Sequence, residues 1–432
     1  MFFFNCVRVC LNFENSNADW NDLVNILDQK TALNIKKWSE VWVNSSGRPI
    51  FLDHIVYDEN NTIKSFELHQ KAEDGSNKIW PQSFEISLVY PNKTKTFKVL
   101  SNKEEIELSD AIGLNKPNQI LYNSNGFGYG IFPTNKSQLK YVSNIDNEVS
   151  RAHAYLNAHE NMLLGMLDVK AVFDLLLNGI KTEQNELILR LITHQTQNLF
   201  WNFLYPKNDL ELQLKIEHAL LNRLQAKASK NVKKTIFNSY RSMANSTDGI
   251  NYLYSLWNKD VAIEGLFLNQ DEYTSLAQTL ALFGHPNSKE ILEKAKAKLT
   301  NSDKQERFKF MEGALSNDPE TRTTYFKSFK SLENRKKESW VQTAAAFMHH
   351  PTKQKEGIKT LELSLELLEE IQRTGDIFFP KRWLDATVGQ YTSKKAYELV
   401  TNYLNVNPNL SPDLKNKLLQ ASDKLYKRHG SN

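Results

Sequence analysis

The sequence predicts a mainly α-helical protein with a small all-β domain, in which an antiparallel β-sandwich precedes a HEAT-like solenoid of antiparallel helix pairs. Short alternating segments rich in Phe, Ile, Val and Thr come before the stretch from Ile120 to Pro133. Roughly three hundred residues poor in Gly and Pro follow it, with apolar residues at helical spacing. We therefore predict a sandwich over residues 45–130 and a helical-repeat domain over residues 131–432.

Two helices are predicted before the sandwich, between Asp19 and Val43. In the second helix, Trp38 and Trp42 are one turn apart and therefore share a face. The sequence Gly47-Arg48-Pro49 then ends this helix and begins the strands.

The strands are predicted from an apolar period of two. In the clearest case Phe84, Ile86 and Leu88 alternate with polar residues, so one face of the strand is buried. Shorter alternating pairs are separated by turn sequences such as Asp74-Gly75.

The helices beyond Pro133 are predicted from apolar stripes and from start signals. One stripe steps by three and four through Ile358, Leu361, Leu365, Leu368 and Ile371. Asp318-Pro319 and Ser411-Pro412 place an oxygen-bearing cap directly before Pro, which is typical of a helix start. Since no strict sequence period is present, any repeat is structural.

Charge provides no argument for a nucleic-acid partner. The 432 residues contain 54 Lys+Arg against 50 Asp+Glu, so the net charge of +4 gives no broad positive field. Lys227 to Lys234 holds four lysines in eight residues with few aromatics, which favours a solvated helix face or loop.

The sequence favours a soluble chain without a membrane span. No segment approaches the roughly 20 uncharged apolar residues that a span requires. No basic residue precedes the apolar start, so we predict no signal peptide, and the compartment stays open. Cys6 and Cys10 stand without further cysteines, which argues for reduced, packed thiols.

Candidate zinc ligands do not have the spacing of a zinc hydrolase. Such an enzyme needs two His one turn apart on a helix, with Glu as the base. His159-Glu160 is followed at the required position by Leu163, and Glu217-His218 is preceded there by Leu214. We predict no metal ligand and no catalytic residue in this chain.

Two further motifs have structural explanations. His349-His350-Pro351 ends a helix, where cations are favoured by the helix dipole. The glycines between Gly126 and Gly130 precede an extended stretch rather than a helix, so chain reversal or close backbone packing is favoured over a phosphate loop.

Several segments, in order, resemble the aminopeptidase N family of zinc metallopeptidases. The segments are Asn17 to Leu23, Trp38 to Trp42 followed by Gly47-Arg48-Pro49, Ile120 to Phe132, Asn185 to Trp201, and Arg373 to Pro380. The resemblance runs from about Ser16 to Arg428 and implies that residues 1–44 contain the last helices of a thermolysin-like catalytic domain. Residues 1 to about 15 do not fit the family.

The resemblance implies a role without implying activity for this chain alone. The family's zinc-binding His and Glu residues, its catalytic Glu and its Tyr have no counterpart here, so zinc is implied only for a catalytic domain outside these residues. In whole enzymes the helical domain covers the catalytic cleft, limits which peptides enter and, in some members, binds the substrate's C-terminal carboxylate through basic groups. Lys381 and Arg382 are our candidates for that contact, because cations give charge-assisted hydrogen bonds to a carboxylate. Solvated surface cations or a helix-start pair are the alternative interpretations of both.

Two functional hypotheses remain at this point, beside the third possibility of a truncated gene product with no selected role. The first is the C-terminal portion of a zinc aminopeptidase, which caps the catalytic chamber and helps select peptides. The alternative is a non-catalytic helical-repeat module that binds a protein partner on a concave face.

Overall fold

The computed structural model of this chain describes residues 14, 16–32 and 34–430. The chain divides into two compact units, one ending at Leu175 and the other beginning at Leu176. The structure confirms a mainly α-helical fold with a small antiparallel β region near the N-terminus. The HEAT-like repeat and the bounds of the three predicted domains stay predictions. Cys6 and Cys10 lie outside the described residues.

The first unit begins with two helices and continues with two small sheets. Its elements are α1 (Trp20–Asp28), α2 (Ile35–Trp42), β1 (Pro49–Tyr57), β2 (Ile63–Ala72), β3 (Gln82–Val89), β4 (Thr94–Ser101), β5 (Glu105–Glu107), β6 (Gln119–Tyr122) and α3 (Glu148–Leu163), with 3₁₀ turns at Ser109–Ala111 and Lys136–Asn144. Helix α4 (Val169–Thr182) crosses the division between the units.

The six strands form two antiparallel sheets that share one core. One sheet has the order β1-β2-β5 and the other β4-β3-β6. Phe66 and Leu68 from the first sheet and Phe84, Ile86 and Leu88 from the second are fully buried in the same cluster. The predicted alternation therefore produces the buried faces of a sandwich.

Helices α1 and α2 confirm the predicted helical start. Asp19 and Asp22 form a capping box, which satisfies free amides at the first turn of α1. The indoles of Trp38 and Trp42 stack with ring centroids 6.3 Å apart, as their spacing predicts. Trp42 Nε1 also donates to the carbonyl of Pro81, which attaches α2 to the start of β3.

The glycine-rich segment reverses the chain and then runs beside β1. Gly126 and Gly130 have φ angles of +72° and +132°, which favour glycine. The amide of Ile131 donates to the carbonyl of Pro49 at 3.0 Å, and the amide of Phe51 donates to the carbonyl of Ile131 at 2.7 Å. The prediction of chain reversal with close backbone packing is confirmed.

Phe132 joins the sandwich to α3. Its ring stacks on Phe51 with centroids 4.7 Å apart and meets Phe84 edge-on at 5.0 Å. The side chains of Asn157 and Asn161 on α3 both donate to its carbonyl oxygen. Phe132 therefore completes the core of the sandwich, and α3 holds it in place.

Arg48 supplies a second link between the sandwich and α3. Its guanidinium contacts the carboxylate of Glu73, after β2, and that of Glu160 on α3, each at 2.7 Å. All three side chains are less than a third exposed, so water screens these ion pairs only in part.

The described residues of the second unit form helices and connecting turns and loops, without a strand. Its helices are α5 (Glu186–Leu199), α6 (Leu210–Gln225), α7 (Lys230–Met243), α8 (Thr247–Asn258), α9 (Gln270–Leu282), α10 (Ser288–Ala297), α11 (Ser302–Glu312), α12 (Pro319–Lys327), α13 (Glu338–His349), α14 (Gln354–Glu366), α15 (Leu368–Thr374), α16 (Phe379–Ala386), α17 (Lys394–Val406) and α18 (Pro412–His429). A π-helical turn at Phe200–Leu204 and short 3₁₀ turns connect some of them. Helices close in sequence pack together, as α6 does with α7, α9 with α10 and α17 with α18.

The predicted helix starts and the apolar stripe are confirmed, with one difference. Asp318 and Ser411 are the N-caps of α12 and α18, each directly followed by Pro. Leu361, Leu365 and Leu368 of the stripe are buried, but the helix is interrupted at Leu367, so the stripe continues from α14 into α15. The apolar period alone does not reveal this break, because the apolar residues keep their spacing of three and four across it.

The helix-dipole explanation for His349 is wrong. His349 is fully buried, and burial lowers the pKa of its imidazole to about 3, so the side chain is neutral at physiological pH. Its Nδ1 lies 2.7 Å from the hydroxyl of Tyr391, and Phe326 packs edge-on against the ring. The residue is a core histidine.

The second unit should lose stability in mild acid because of His349. The unfolded chain binds a proton near the ordinary pKa of 6.5, whereas the folded chain binds it only near 3. The stabilisation is therefore complete above pH 6.5 and is lost as pH falls toward 3. Between pH 7.5 and 5 we expect His349 to account for about 2 kcal/mol of lost unfolding free energy, measured by urea denaturation at both pH values.

The variant His349→Gln tests this origin. Although it lowers stability at pH 7.5, it should reduce the loss between pH 7.5 and 5 by about 2 kcal/mol. His218→Gln, at an exposed histidine, serves as the control. It should lose as much unfolding free energy between pH 7.5 and 5 as the parent chain. An unchanged pH dependence in His349→Gln would refute the assignment.

Candidate functional site

A polar groove of about 400 Å³ lies between α5 and α7. Its walls carry hydroxyl, amide and cationic side chains, namely Arg190, Thr193, His194 and Gln197 from α5 and Asn231, Lys234, Thr235, Asn238 and Ser239 from α7. These residues recur at steps of three and four, so each helix presents one polar stripe to the groove.

The opposite face of α5 fixes this stripe in place. Ile188, Leu189 and Ile192 are buried, whereas Arg190 and His194 are exposed. Asn185 caps the helix by accepting hydrogen bonds from two first-turn amides. Arg190 and His194 therefore project one turn apart from a firmly packed helix.

The acidic residues next to the groove are already hydrogen-bonded. Hydrogen bonds from Ser229 and Asn231 lower the pKa of Glu186, and the charge of Arg190 adds a smaller effect. Burial alone would raise the pKa of Glu272, but the Asn269 amide and the Lys234 ammonium lower it. Neither carboxylate forms a close ion pair with Arg190.

Among the described residues, Arg190 and His194 have no close polar side-chain partner, although Glu186, one turn earlier, acts electrostatically on Arg190. Within the part of the chain that the structure describes, neither side chain makes a hydrogen bond or an ion pair with another residue. A guanidinium offers several N–H donors in a planar fork that matches a carboxylate. With neutral hydroxyl and amide groups beside it, the arrangement suits an anionic group such as a carboxylate.

The sequence-predicted candidates, Lys381 and Arg382, lie elsewhere, on α16. The Lys381 ammonium donates to both carboxylate oxygens of Asp385, one turn along the helix. The Arg382 guanidinium lies 5.5 Å from the ring centroid of Phe378 and acts electrostatically on the carboxylates of Glu338 and Asp376. Their carboxylate-binding role stays a prediction, and the groove is a second candidate with fewer internal partners.

His159 and Glu217, two of the residues considered as zinc ligands, and nearby His153 make contacts within the fold. His159 is buried in α3. His153, on the same helix, packs edge-on against Phe132 at 5.4 Å, and burial lowers its pKa to about 4. The carboxylate of Glu217 accepts hydrogen bonds from Ser246, the N-cap of α8.

The predicted solvated face at Lys227 to Lys234 is wrong for one of its lysines. Lys233 is buried, and its ammonium donates to the carbonyl of Leu224 at 3.0 Å. Lys234 is exposed and pairs with Glu272 at 2.9 Å. The run therefore contributes to the packing of α6 and α9 against α7 as well as to the groove.

Two groups of candidate binding residues were not predicted from the sequence. The i, i+4 pair of Arg190 and His194 was a detectable signal, although nothing in the sequence places α7 beside it. Glu67, His69 and Glu105 lie together on one sheet, with one donor atom from each within 4.8 Å of the others. Glu67 and His69 are two residues apart on a strand, which is not the helical spacing that predicts the ligands of a zinc hydrolase.

No helix among the described residues is long and apolar enough to cross a membrane.

Comparison with known proteins relates the chain to peptidases. No family model matches the sequence. Over 293 residues the chain is 20% identical to an aminopeptidase N from Streptomyces lividans. The similar region covers 64% of this chain and 34% of the relative, so the chain spans about a third of the length of the curated relative it matches.

Proposed function

We propose that this chain is the C-terminal portion of a zinc aminopeptidase. In this proposal it caps the chamber in which N-terminal residues are removed from peptides, and it helps select the peptides that enter. The observation that carries the proposal is the similarity to aminopeptidase N over 293 residues. The order of the resembling segments, from the Trp38 region to the Arg373 region, supports it.

The catalytic zinc of this family does not fit the residues of this chain. The 432 residues contain no His-Glu-x-x-His sequence, and the one His-Glu dipeptide, His159-Glu160, is followed at the required position by Leu163. We therefore derive no catalytic step from this chain. Its proposed contribution is to bind and orient the peptide.

The groove between α5 and α7 is the proposed binding surface. Arg190 supplies a charge-assisted hydrogen bond to the C-terminal carboxylate of the peptide. His194 and the amides of Gln197 and Asn238 line the same groove and can bond the peptide backbone. Holding the far end of a peptide favours substrates whose length spans the distance to the catalytic centre.

Peptide binding to the purified chain tests this role. We expect a fluorescein-labelled decapeptide with a free C-terminal carboxylate to bind about tenfold more tightly than the same peptide with a C-terminal amide. Fluorescence anisotropy gives both dissociation constants. In the variant Arg190→Gln the two peptides should bind equally.

Matched variants distinguish the groove from other cations. Arg307 is exposed on α11, and Arg307→Gln should keep the preference for the free carboxylate. Arg382→Gln should also keep it, whereas loss of the preference in this variant would favour the sequence-predicted site. Equal binding of acid and amide by the parent chain would contradict a carboxylate-binding role.

The DNA upstream of the Met1 codon distinguishes the aminopeptidase proposal from the alternative function, a non-catalytic interaction module. An open frame there that encodes His-Glu-x-x-His supports the aminopeptidase proposal. Its absence, together with recovery of one stoichiometric protein partner, favours the interaction module.

A further inference from the structure

The outer face of the β1-β2-β5 sheet gathers metal-ligating side chains away from the groove. Glu67 and His69 are two residues apart on β2 and so project to the same face. The strand register places Glu105 of β5 directly opposite His69. Leu68 and Ile106, between them, point into the sandwich core and hold both strands in register.

The donor atoms are close to the spacing of a metal site. Nε2 of His69 lies 3.6 Å from a carboxylate oxygen of Glu67 and 3.7 Å from one of Glu105. These distances are too long for hydrogen bonds. A tetrahedral zinc ion, with bonds of about 2.0–2.2 Å, holds its donors about 3.3–3.5 Å apart. Small side-chain rotations would therefore bring all three donors onto one ion.

The surrounding charges are not balanced within the sheet. Glu107 lies directly opposite Glu67 across the β2-β5 pair, so three carboxylates share one small face. Like charges directly opposite each other destabilise a sheet. Among the described residues Lys71, the next residue on this face of β2, makes no ion pair with these carboxylates. A bound cation would remove the repulsion.

We propose that Glu67, His69 and Glu105 bind one divalent transition-metal ion of the zinc class. One imidazole and two carboxylates suit zinc, cobalt or nickel, whereas calcium and magnesium take oxygen ligands alone. The side chains are 26% to 66% exposed, so solvent reaches the ion and water completes its coordination. This site is independent of the proposed peptidase role.

The ion would fasten the edge of the sheet. Strand β5 has three residues, and its pairing with β2 ends at Glu105 and Glu107. A ligand bond from each strand to one ion links β5 to β2 through side chains as well as through backbone hydrogen bonds. Because the ion binds the folded chain, it should raise the thermal unfolding midpoint of the first unit.

Cobalt titration tests the proposal. The chain is first stripped with a chelator and carries Cys6→Ser and Cys10→Ser, which prevents thiolate binding. We expect one Co²⁺ per chain, visible absorption bands on binding, and displacement by Zn²⁺. His69→Ala and Glu105→Gln should each weaken binding by at least about tenfold and abolish the rise in the unfolding midpoint.

Two other positions provide controls. Glu107→Gln removes a carboxylate from the same strand, and His218→Ala removes an exposed imidazole from α6. Both should bind one Co²⁺ per chain. His218→Ala should keep the parent's affinity, whereas Glu107→Gln, which removes a nearby charge but no ligand, should weaken binding by less than about threefold. Parent-like affinity in either His69→Ala or Glu105→Gln would overturn the site, as would an equal loss in Glu107→Gln or no saturable binding by the parent.

Discussion

Replacing Gly130 with Val should cost the first unit about 4 kcal/mol of unfolding free energy. The φ angle of +132° at this position is one that residues with a side chain rarely adopt. A Cβ atom there would also lie 2.6 Å from the carbonyl oxygen of Pro49 and 3.3 Å from the ring of Phe51. The extended segment after Gly130, which includes Ile131, would have to move away from β1. Urea denaturation, followed by far-ultraviolet circular dichroism, measures the change.

Gly75→Ala measures the cost of a left-handed backbone conformation without the close contact that a Cβ at Gly130 would make. Gly75 also has a positive φ, +72°, but nothing lies within 4 Å of the position that its Cβ would take. The expected cost is about 1 kcal/mol, from the left-handed conformation alone. Equal costs for the two variants would show that the contact with Pro49 contributes nothing.

Trp383→Ala should destabilise the second unit by about 4 kcal/mol. The indole is fully buried, stacks on Phe326 with centroids 5.5 Å apart, and donates from Nε1 to the carbonyl of Ser364 at 2.9 Å. Truncation to Ala leaves a cavity and removes the hydrogen bond that the indole donates to the buried carbonyl of Ser364. Chemical denaturation monitored by circular dichroism provides the measurement.

Two variants check the origin of this loss. Trp383→Phe keeps most of the ring volume but lacks the N–H donor, so it should cost about 1–2 kcal/mol. Phe267→Ala removes an aromatic side chain that is 76% exposed and should change stability by less than about 0.5 kcal/mol. A loss from Phe267→Ala as large as that from Trp383→Ala would contradict the burial argument.

The fold class was predictable because local sequence patterns determine the individual strands and helices. The alternation around Phe84 appears as a buried sheet face, and the Asp318-Pro319 signal appears as a helix start. The helix break at Leu367 was not predictable, because the apolar stripe continues across it. The burial of His349 was missed for a similar reason, since the Tyr391 hydroxyl that meets its ring comes from 42 residues away.

The candidate sites depend on pairings that a single sequence does not contain. The groove requires α5 beside α7, although α6 separates them along the chain. The metal-ligand cluster requires β5 beside β2, with β3 and β4 between them in sequence. Lys381 and Arg382 are basic residues beside the Thr374 to Pro380 segment that resembles the family, but the structure supplies acidic neighbours for both.

The position of Phe132 has a practical consequence for dividing this chain into parts. A recombinant fragment that ends at residue 130 would lack the ring that stacks on Phe51 and would keep none of the amide contacts from Asn157 and Asn161. It would also lose the Glu160 partner of Arg48. Expression of the β region by itself should therefore extend through the end of α3 at Leu163, and a shorter piece is expected to aggregate through its uncovered aromatic pocket.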